Sequence, residues 1–189
     1  LSNCTASFVS PDGLILTNHH CAEACLADHS TPEHSLIETG FLAAERSEEK
    51  KCGTQIADTL VEMENITARV NAATHGQDAK AANETRKRTL TALEQSCEEA
   101  SKHGALGALK CESVELYQGG QYFLYKYKRY DDVRLVFAPE GGIAFFGGDP
   151  DNFTFPRYDL DMALFRVYEN DKPVRPVNYL HWSTKGVAD

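Results

Sequence analysis

The stretch "SFVSPDGLILTNHHC", residues 7–21, constrains the fold of this chain more than any other segment. Two apolar, β-rich runs flank the turn "PDG", in which proline presets φ and glycine accepts a positive φ. The pattern predicts a β-hairpin whose second strand leads directly into His19 and His20. At this point three roles are open for the two histidines: metal ligands, buried packing residues, or a catalytic base at the end of a strand.

Several more short apolar or aromatic runs follow the hairpin and predict further strands. They are "TQIADTLVEME", "ESVELY", "QYFLYKYKRY", "DVRLVFAP", "DMALFRVYEND" and "VNYLHWST". The run "DAKAANETRKRTLTALEQSCEEASKH" has helical spacing instead and predicts one long amphipathic helix, within an insertion at about residues 66–103. Short strands joined by turns favour a barrel or a sandwich. A chain of 189 residues fits a single domain, residues 1–189.

Charge and hydropathy exclude two kinds of partner. The formal net charge of -9 argues against nucleic acid, which requires a basic face. No segment approaches the roughly 18 to 20 uninterrupted apolar residues of a membrane span, so we expect none. The six cysteines are an even number, which favours an oxidising compartment, periplasmic or secreted, if they are paired.

The cysteines allow many connectivities, and only one pair can be argued from geometry. Cys4 opens the first strand of the hairpin and Cys21 follows the second, so a disulfide between them would join the strands beside His20. Cys97 near a helix end and Cys111 at the next strand start are a second plausible pair. The last pair, Cys25 with Cys52, follows by elimination only.

A histidine that activates an alcohol nucleophile needs an acceptor that fixes its ring. Chymotrypsin-like barrels place this histidine after a strand and before a cysteine whose partner begins the preceding strand, and His20 has that position. The acceptor is an aspartate at the head of a buried strand. Asp161 precedes the apolar run "MALF", where its burial is costly without a partner such as His20. Asp159, on the same strand face, is the rival candidate.

The third part of such a triad is missing from the sequence. No serine lies in a Gly-x-Ser-Gly-like turn, whose backbone amides would form an oxyanion hole. We therefore expect half of an active site, with no metal and no cofactor. Two alternatives stay open: a non-catalytic domain that kept the barrel for binding, and a metal-binding protein whose ligands would be His19, His20, Cys21 and Cys25.

Four stretches together carry a more specific pattern: "TASFVSPDGLILTNHHC", "STPEHSLIETGFLA", "YQGGQYFLYKYKRYDDVRLVFAP" and "FFGGDPDNFTFPRYDLDMALFRVYENDKP". Jointly they resemble serine peptidase family 46, bacterial dipeptidyl-peptidases of the seven and eleven type in the chymotrypsin clan. The resemblance implies a double β-barrel with a Ser-His-Asp triad and a helical domain that caps the cleft. This chain would supply the first barrel, a mainly β, chymotrypsin-like antiparallel barrel of six or seven strands with one long inserted helix.

The resemblance also implies roles for individual residues. His20 would be the general base and Asp161 its partner. The loop "GGDxDNWxWPR" of the family helps to hold the free α-amine of the substrate, and here "GGDPDNFTFPR" places Asn152 and Phe153 at the two anchoring positions. An amide oxygen accepts from an ammonium group, and an aromatic face attracts a cation, more weakly for Phe than for Trp.

The implied function is that of a serine exopeptidase that releases dipeptides from the free N-terminus of oligopeptides. Its partner would be a peptide substrate. The nucleophile, the C-terminal barrel and the helical domain would lie outside this chain, which we expect to be inactive alone. An apolar face that is meant to meet the second barrel would favour self-association, for example as a homodimer.

Overall fold

The structure is a computed structural model that describes residues 1–2, 4–152 and 154–186, except for the side chain of Asn152. The chain divides into two compact units, one of Leu1–Ala57 with Tyr130–Asp189 and one of Asp58–Arg129. Among the described residues, no helix has both the length and the apolar character that crossing a membrane requires.

The described residues form ten strands, most of them short, and six α-helices. The strands are β1 (Ser7–Phe8), β2 (Leu14–Thr17), β3 (Phe41–Leu42), β4 (Lys50–Lys51), β5 (Ala57–Asn65), β6 (Leu109–Leu116), β7 (Gln121–Tyr130), β8 (Asp132–Ala138), β9 (Ala163–Glu169) and β10 (Lys172–Pro173). The helices are α1 (Glu23–Asp28), α2 (Leu36–Thr39), α3 (Thr67–Thr74), α4 (Ala79–Ser101), α5 (Gly141–Ala144) and α6 (Gly148–Asn152).

A seven-stranded antiparallel sheet forms the framework of the first unit. Its order is β1-β2-β9-β8-β3, with β10 beside β9 and β4 beside β8. Ile15, Phe165 and Leu135 lie directly opposite one another on the three central strands, and all three are buried. Because alternate residues of a strand face the same side, this row and its neighbours build one apolar face for the core.

The mainly β fold is confirmed, but the described part of this sheet is open rather than closed. The strand order has two ends, β1 and β3, and no pairing joins them within residues 1–2, 4–152 and 154–186. The strand expected at "VNYLHWST" is wrong, because residues 177–184 form no strand. One backbone bond joins this segment to β1, from Leu180 N–H to Phe8 O at 2.8 Å. A two-residue strand offers too little edge for a longer ladder.

The second unit packs a three-stranded sheet, β5-β7-β6, against α3 and α4. The long predicted helix is α4, with 23 residues, and the predicted insertion also contains the separate helix α3. Gly76, between them, has a φ of 73°, which glycine adopts without strain. Asp78 then caps α4 by accepting from the N–H groups of Lys80 and Ala81. A positive φ followed by a cap explains why α3 and α4 are separate helices.

Three disulfides join the six cysteines in the arrangement that the sequence favoured: Cys4–Cys21, Cys25–Cys52 and Cys97–Cys111. The first two lie in the first unit, and the third connects α4 to β6 in the second. Their sulfur atoms are therefore not free thiols.

Candidate active site

His20 lies in a short 3-10 helix, His19–Cys21, directly after β2. Cys21 is held by its disulfide to Cys4, and its carbonyl oxygen accepts from Nε2 of the buried Gln55 at 2.9 Å. The backbone that carries His20 is thus fixed by a covalent bond and by a buried hydrogen bond. The His20 side chain itself is 62% exposed. A fixed backbone with an exposed imidazole suits a group that must reach a bound substrate.

Asp161 reaches His20 because β2 and β9 are antiparallel neighbours. Thr17, the last residue of β2, lies opposite Ala163, the first residue of β9. The residues that follow β2 therefore lie next to the residues that precede β9, at the same end of these two strands. Nδ1 of His20 lies 3.6 Å from Oδ2 of Asp161, a separation that suits an ion pair but exceeds a hydrogen bond.

The Asp161 carboxylate is buried, with 8% of the side chain exposed, and it accepts from several donors. The Asn18 side chain donates to Oδ2 at 2.8 Å, and the backbone N–H of His19 donates to Oδ1 at 2.7 Å. Burial raises the pKa of Asp161, but these hydrogen bonds and the nearby His20 outweigh burial and hold the pKa below its ordinary value. Asp161 is therefore ionised at neutral pH.

Asp159 pairs with an arginine instead. Nε of Arg157 lies 3.1 Å from Oδ1 of Asp159, and Nη2 lies 3.3 Å from Oδ2. Nη2 of Arg157 is also 3.6 Å from Oδ2 of Asp161, so the guanidinium bridges the two carboxylates. This two-point contact is the geometry that arginine favours with carboxylates. Of the two aspartates, Asp161 is the one with an ion-pair contact to His20.

His19 is a buried residue of the framework. Its Nε2 lies 3.0 Å from the carbonyl oxygen of Pro139, and in the Nε2-protonated tautomer the ring donates there. This contact directs the ring towards Pro139, which precedes α5. His19 is therefore not placed to act as a second metal ligand beside His20.

The metal-binding alternative conflicts with the disulfides. Its cysteines, Cys21 and Cys25, are both oxidised, and zinc requires thiolates. In the described part of the chain, one group of potential ligands comes close together, and it consists of His20 with Cys4 and Cys21, which are bonded to each other. A single imidazole beside a disulfide does not fit a zinc site.

A pocket of about 220 Å³ opens at the exposed side of His20. Its other lining residues are Glu23 at the start of α1, Ala144 at the end of α5, Phe145 directly after it, and His19 and Asp161 beside His20. No motif in the sequence singles out Glu23. Its spacing of three residues from His20 was the available signal, because such residues face the same side of a helical turn.

The family model described as Peptidase S46 matches residues 1–189. This chain belongs to the peptidase S46 family. Dipeptidyl-peptidase 7 of Capnocytophaga gingivalis is 34% identical over 198 residues, which cover 98% of this chain and 27% of that protein. The Asp/Glu-specific dipeptidyl-peptidase of Shewanella putrefaciens is also 34% identical, over 99% of this chain and 26% of that protein.

A solved structure of a peptidase of this kind also has a similar fold. It is Porphyromonas endodontalis DPP11 in complex with the dipeptide Arg-Glu, with a TM-score of 0.82 and 29% identity over 98% of this chain and 28% of that chain. The present peptidase S46 chain thus spans about a quarter of the length of these relatives.

Two residues that the family resemblance singles out fall at the border of the described part of this peptidase S46 chain. Asn152 ends α6, and its side chain lies outside the described residues, as does the whole of Phe153. Their roles in holding a substrate amine stay predictions.

Proposed function

We propose that this chain is the N-terminal part of a bacterial serine dipeptidyl-peptidase, which releases dipeptides from the free N-terminus of oligopeptides. The observation that carries this proposal is the His20–Asp161 pair, which lies where β2 ends and β9 begins. An exposed imidazole beside a buried, ionised carboxylate is the acid-base half of a Ser-His-Asp triad. Relatives named dipeptidyl-peptidases, at 34% identity, support the same reaction.

In the proposed mechanism His20 acts as the general base for a serine from the part of the enzyme outside this chain. Nδ1 faces Asp161, so Nε2 is the atom that takes the serine proton as the hydroxyl attacks the scissile carbonyl. His20 then gives this proton to the leaving amine, which leaves a dipeptidyl ester on the serine. Water hydrolyses the ester with His20 again as base. Asp161 keeps its negative charge throughout and stabilises the imidazolium.

The proposed exopeptidase activity requires a group that recognises the free amine. We assign this to Asn152 and Phe153, whose amide oxygen and aromatic face suit an ammonium group. Both belong to the loop segment between α5 and β9, which includes the short helix α6, and this segment also contributes Phe145 to the pocket beside His20. An anchor at this position would limit cleavage to the second peptide bond from the N-terminus.

The architecture of the whole enzyme is part of the same proposal. The seven-stranded sheet would be the first of two chymotrypsin-like antiparallel barrels, with about residues 66–103 as an insertion. Segments outside this chain would supply the second barrel and a helical domain, and a homodimer would cover remaining apolar surface. Three disulfides favour an oxidising compartment, so we propose a periplasmic or secreted location.

The test uses the full-length protein that contains residues 1–189. Fluorogenic dipeptide substrates with a free amine are compared with the same dipeptides N-acetylated. We expect cleavage of the free-amine set alone, and a fall of kcat/KM by at least about a thousandfold in His20→Ala and Asp161→Ala. Asp159→Asn is the matched control and should keep most of the activity, since Asp159 pairs with Arg157.

Two results would contradict the proposal. Cleavage of acetylated substrates at the same rate would rule out recognition of the free amine. Hydrolysis by the 189-residue chain alone would require a nucleophile within it.

A further inference from the structure

Glu23 lines the pocket beside His20, and it differs from the other carboxylate there. It is the first residue of α1, one helical turn after His20, and it is exposed. Within the part of the chain that the structure describes, its carboxylate has no ion pair and no side-chain hydrogen bond. Asp161, in contrast, accepts from Asn18 and the His19 N–H and lies near Arg157.

This difference leaves one uncompensated negative charge at the pocket. The charge of Asp161 is already compensated by its hydrogen-bond donors and by the nearby Arg157, whereas that of Glu23 faces the solvent and any group that enters. A cation in the pocket would therefore pair with Glu23 rather than with Asp161. A group of negative charge would be repelled by both.

Two of the residues that line the pocket are apolar. Ala144 is buried at the end of α5, and the next residue, Phe145, has an exposed aromatic ring. A pocket with apolar lining residues and one uncompensated carboxylate matches a side chain with an aliphatic stem and a cationic tip. Lysine and arginine have this form, because they lay their methylene groups on apolar surface and keep the charge accessible. An arginine guanidinium also stacks well on an aromatic ring.

The loop that supplies Phe145 indicates which substrate residue enters. The same loop continues to Asn152, the residue to which we assigned the substrate α-amine. The pocket is therefore bounded by His20, at the scissile bond, and by the loop at the N-terminal end of the substrate. A released dipeptide has two side chains between these points, and we assign the pocket to that of the N-terminal residue, because Phe145 belongs to the loop that would hold the α-amine.

We propose that Glu23 makes this peptidase select substrates whose N-terminal residue is basic, with arginine preferred to lysine. This inference rests on the proposed dipeptidyl-peptidase function and adds a substrate class to it. Glu23 acts on specificity alone: it binds the tip of the side chain, while His20 and Asp161 carry out the proton transfer.

The test compares two dipeptide substrates that differ in charge but not in shape. One has arginine at the N-terminus and the other has citrulline, with the same second residue and the same fluorogenic group. In the full-length wild-type enzyme we expect kcat/KM for arginine to exceed that for citrulline by about fivefold, as for an exposed but partly desolvated ion pair. The ratio should shrink as salt is raised, since salt screens exposed charges.

Variants then assign this preference to one carboxylate. Glu23→Gln should bring the arginine-to-citrulline ratio close to one, with the citrulline rate unchanged. Glu23→Lys should favour a glutamate at the N-terminus. Glu33→Gln is the matched control, because it removes another exposed carboxylate, one that does not line the pocket, and it should keep the wild-type ratio.

The outcomes separate this inference from the function on which it rests. If no free-amine dipeptide is cleaved, the proposed function fails. If dipeptides are cleaved but the ratio is the same in wild type and Glu23→Gln, the inference alone is overturned. It is also overturned if Glu23→Gln lowers kcat/KM equally for every substrate, because Glu23 would then bind the common α-amine.

Discussion

The side-chain amide of Asn18 donates to Oδ2 of Asp161 at 2.8 Å, the same carboxylate oxygen that faces Nδ1 of His20. The other oxygen, Oδ1, accepts from the backbone N–H of His19. Both donors come from the segment that directly follows β2. The end of one strand thus fixes the orientation of a carboxylate that precedes the neighbouring strand, so Asp161 is already aimed at His20 before any substrate binds.

The first prediction concerns Asn18→Ala. Loss of this donor removes part of what lowers the pKa of Asp161, so the pKa should rise, as a carboxyl ¹³C NMR titration of the chain would show. In the wild type, the lowered pKa of Asp161 stabilises the folded state. This stability is fully present above the ordinary carboxyl pKa, near 4, and is lost as pH falls through the lower pKa that Asp161 has in the folded protein. Asn18→Ala should shrink this acid-dependent contribution.

The same variant should slow the full-length enzyme. A hydrogen bond to a charged group contributes about 1.5–3 kcal/mol, so kcat/KM should fall by about 10- to 100-fold, with the acidic limb of the pH profile moved to higher pH. Asn18→Asp is an informative companion, because a second carboxylate beside Asp161 should raise its pKa further. An unchanged pKa of Asp161 in both variants would contradict the role assigned to Asn18.

A second prediction concerns the buried pair of Arg166 and Glu49. Nε of Arg166 donates to Oε1 of Glu49 at 2.8 Å, and the exposed fractions of the two side chains are only 12% and 2%. Glu49→Ala leaves the buried arginine with only the more exposed Asp12 as a carboxylate partner, at 3.0 Å, so we expect the free energy of unfolding to fall by about 3 kcal/mol, the lower end for a broken buried pair. Urea-induced unfolding, followed by circular dichroism, measures it.

The control for this pair is an exposed one in the same unit. Arg46 pairs with Asp12 at the surface, and Arg46→Ala should cost only about 0–1 kcal/mol, because Asp12 keeps its second partner, Arg166. Equal losses in Glu49→Ala and Arg46→Ala would show that burial of the first pair has no energetic consequence.

A third prediction follows from Tyr168, whose hydroxyl donates to Oε2 of Glu49 at 2.7 Å. Burial and this hydrogen bond raise the pKa of Tyr168 to about 12. The folded state therefore favours the neutral phenol, and the resulting stability is complete below the ordinary tyrosine pKa, near 10, and is lost as pH rises from there through about 12. Tyr168→Phe should flatten the decline of stability over this alkaline range.

The measurement compares unfolding free energies of wild type and Tyr168→Phe at several pH values between about 9 and 11. Tyr158, which is exposed, gives the matched control Tyr158→Phe, and this variant should decline as steeply as the wild type. A parallel decline in all three proteins would show that Tyr168 titrates alike in the folded and unfolded states.

Local patterns predicted much of the first unit because its key contacts follow from strand neighbours. The turn "PDG" fixed the β1–β2 hairpin, and the aspartate that enters β9 had to lie near the end of β2 once these strands paired. The disulfide Cys4–Cys21 follows from the same hairpin. Each of these predictions needs only strand alternation and one pairing.

Other features depend on information that no local pattern contains. The strand expected at residues 177–184 does not form, because a strand needs a neighbouring strand to pair with. The neighbour here is β1, which has only two residues. Asn18 was not assigned to Asp161 in advance, because strand pairing brings the whole segment after β2 near this carboxylate and does not determine which side chain donates to it. Glu23 is an exposed carboxylate at a helix start, a common feature of surfaces, and only the pocket distinguishes it.

The last prediction separates two disulfides of the first unit by their effects on activity and on stability. Cys4–Cys21 and Cys25–Cys52 have sequence separations of 17 and 27 residues. Since the entropy of an unfolded loop changes slowly with its length, removing either bond by a double alanine substitution should lower the free energy of unfolding by about 3 kcal/mol. Stability alone would therefore hardly distinguish the two variants.

Activity should distinguish them, because Cys21 directly follows His20 and its Sγ also accepts from the hydroxyl of Thr17 at 3.3 Å. Loss of the bond to Cys4 frees the 3-10 helix that carries His20, so kcat should fall and the His20 NMR signal should broaden, at temperatures where the protein stays folded. The variant without Cys25–Cys52 should keep both the wild-type kcat and the His20 signal under those conditions. Equal losses of kcat in the two variants would mean that the disulfide beside His20 acts through global stability rather than by positioning the imidazole.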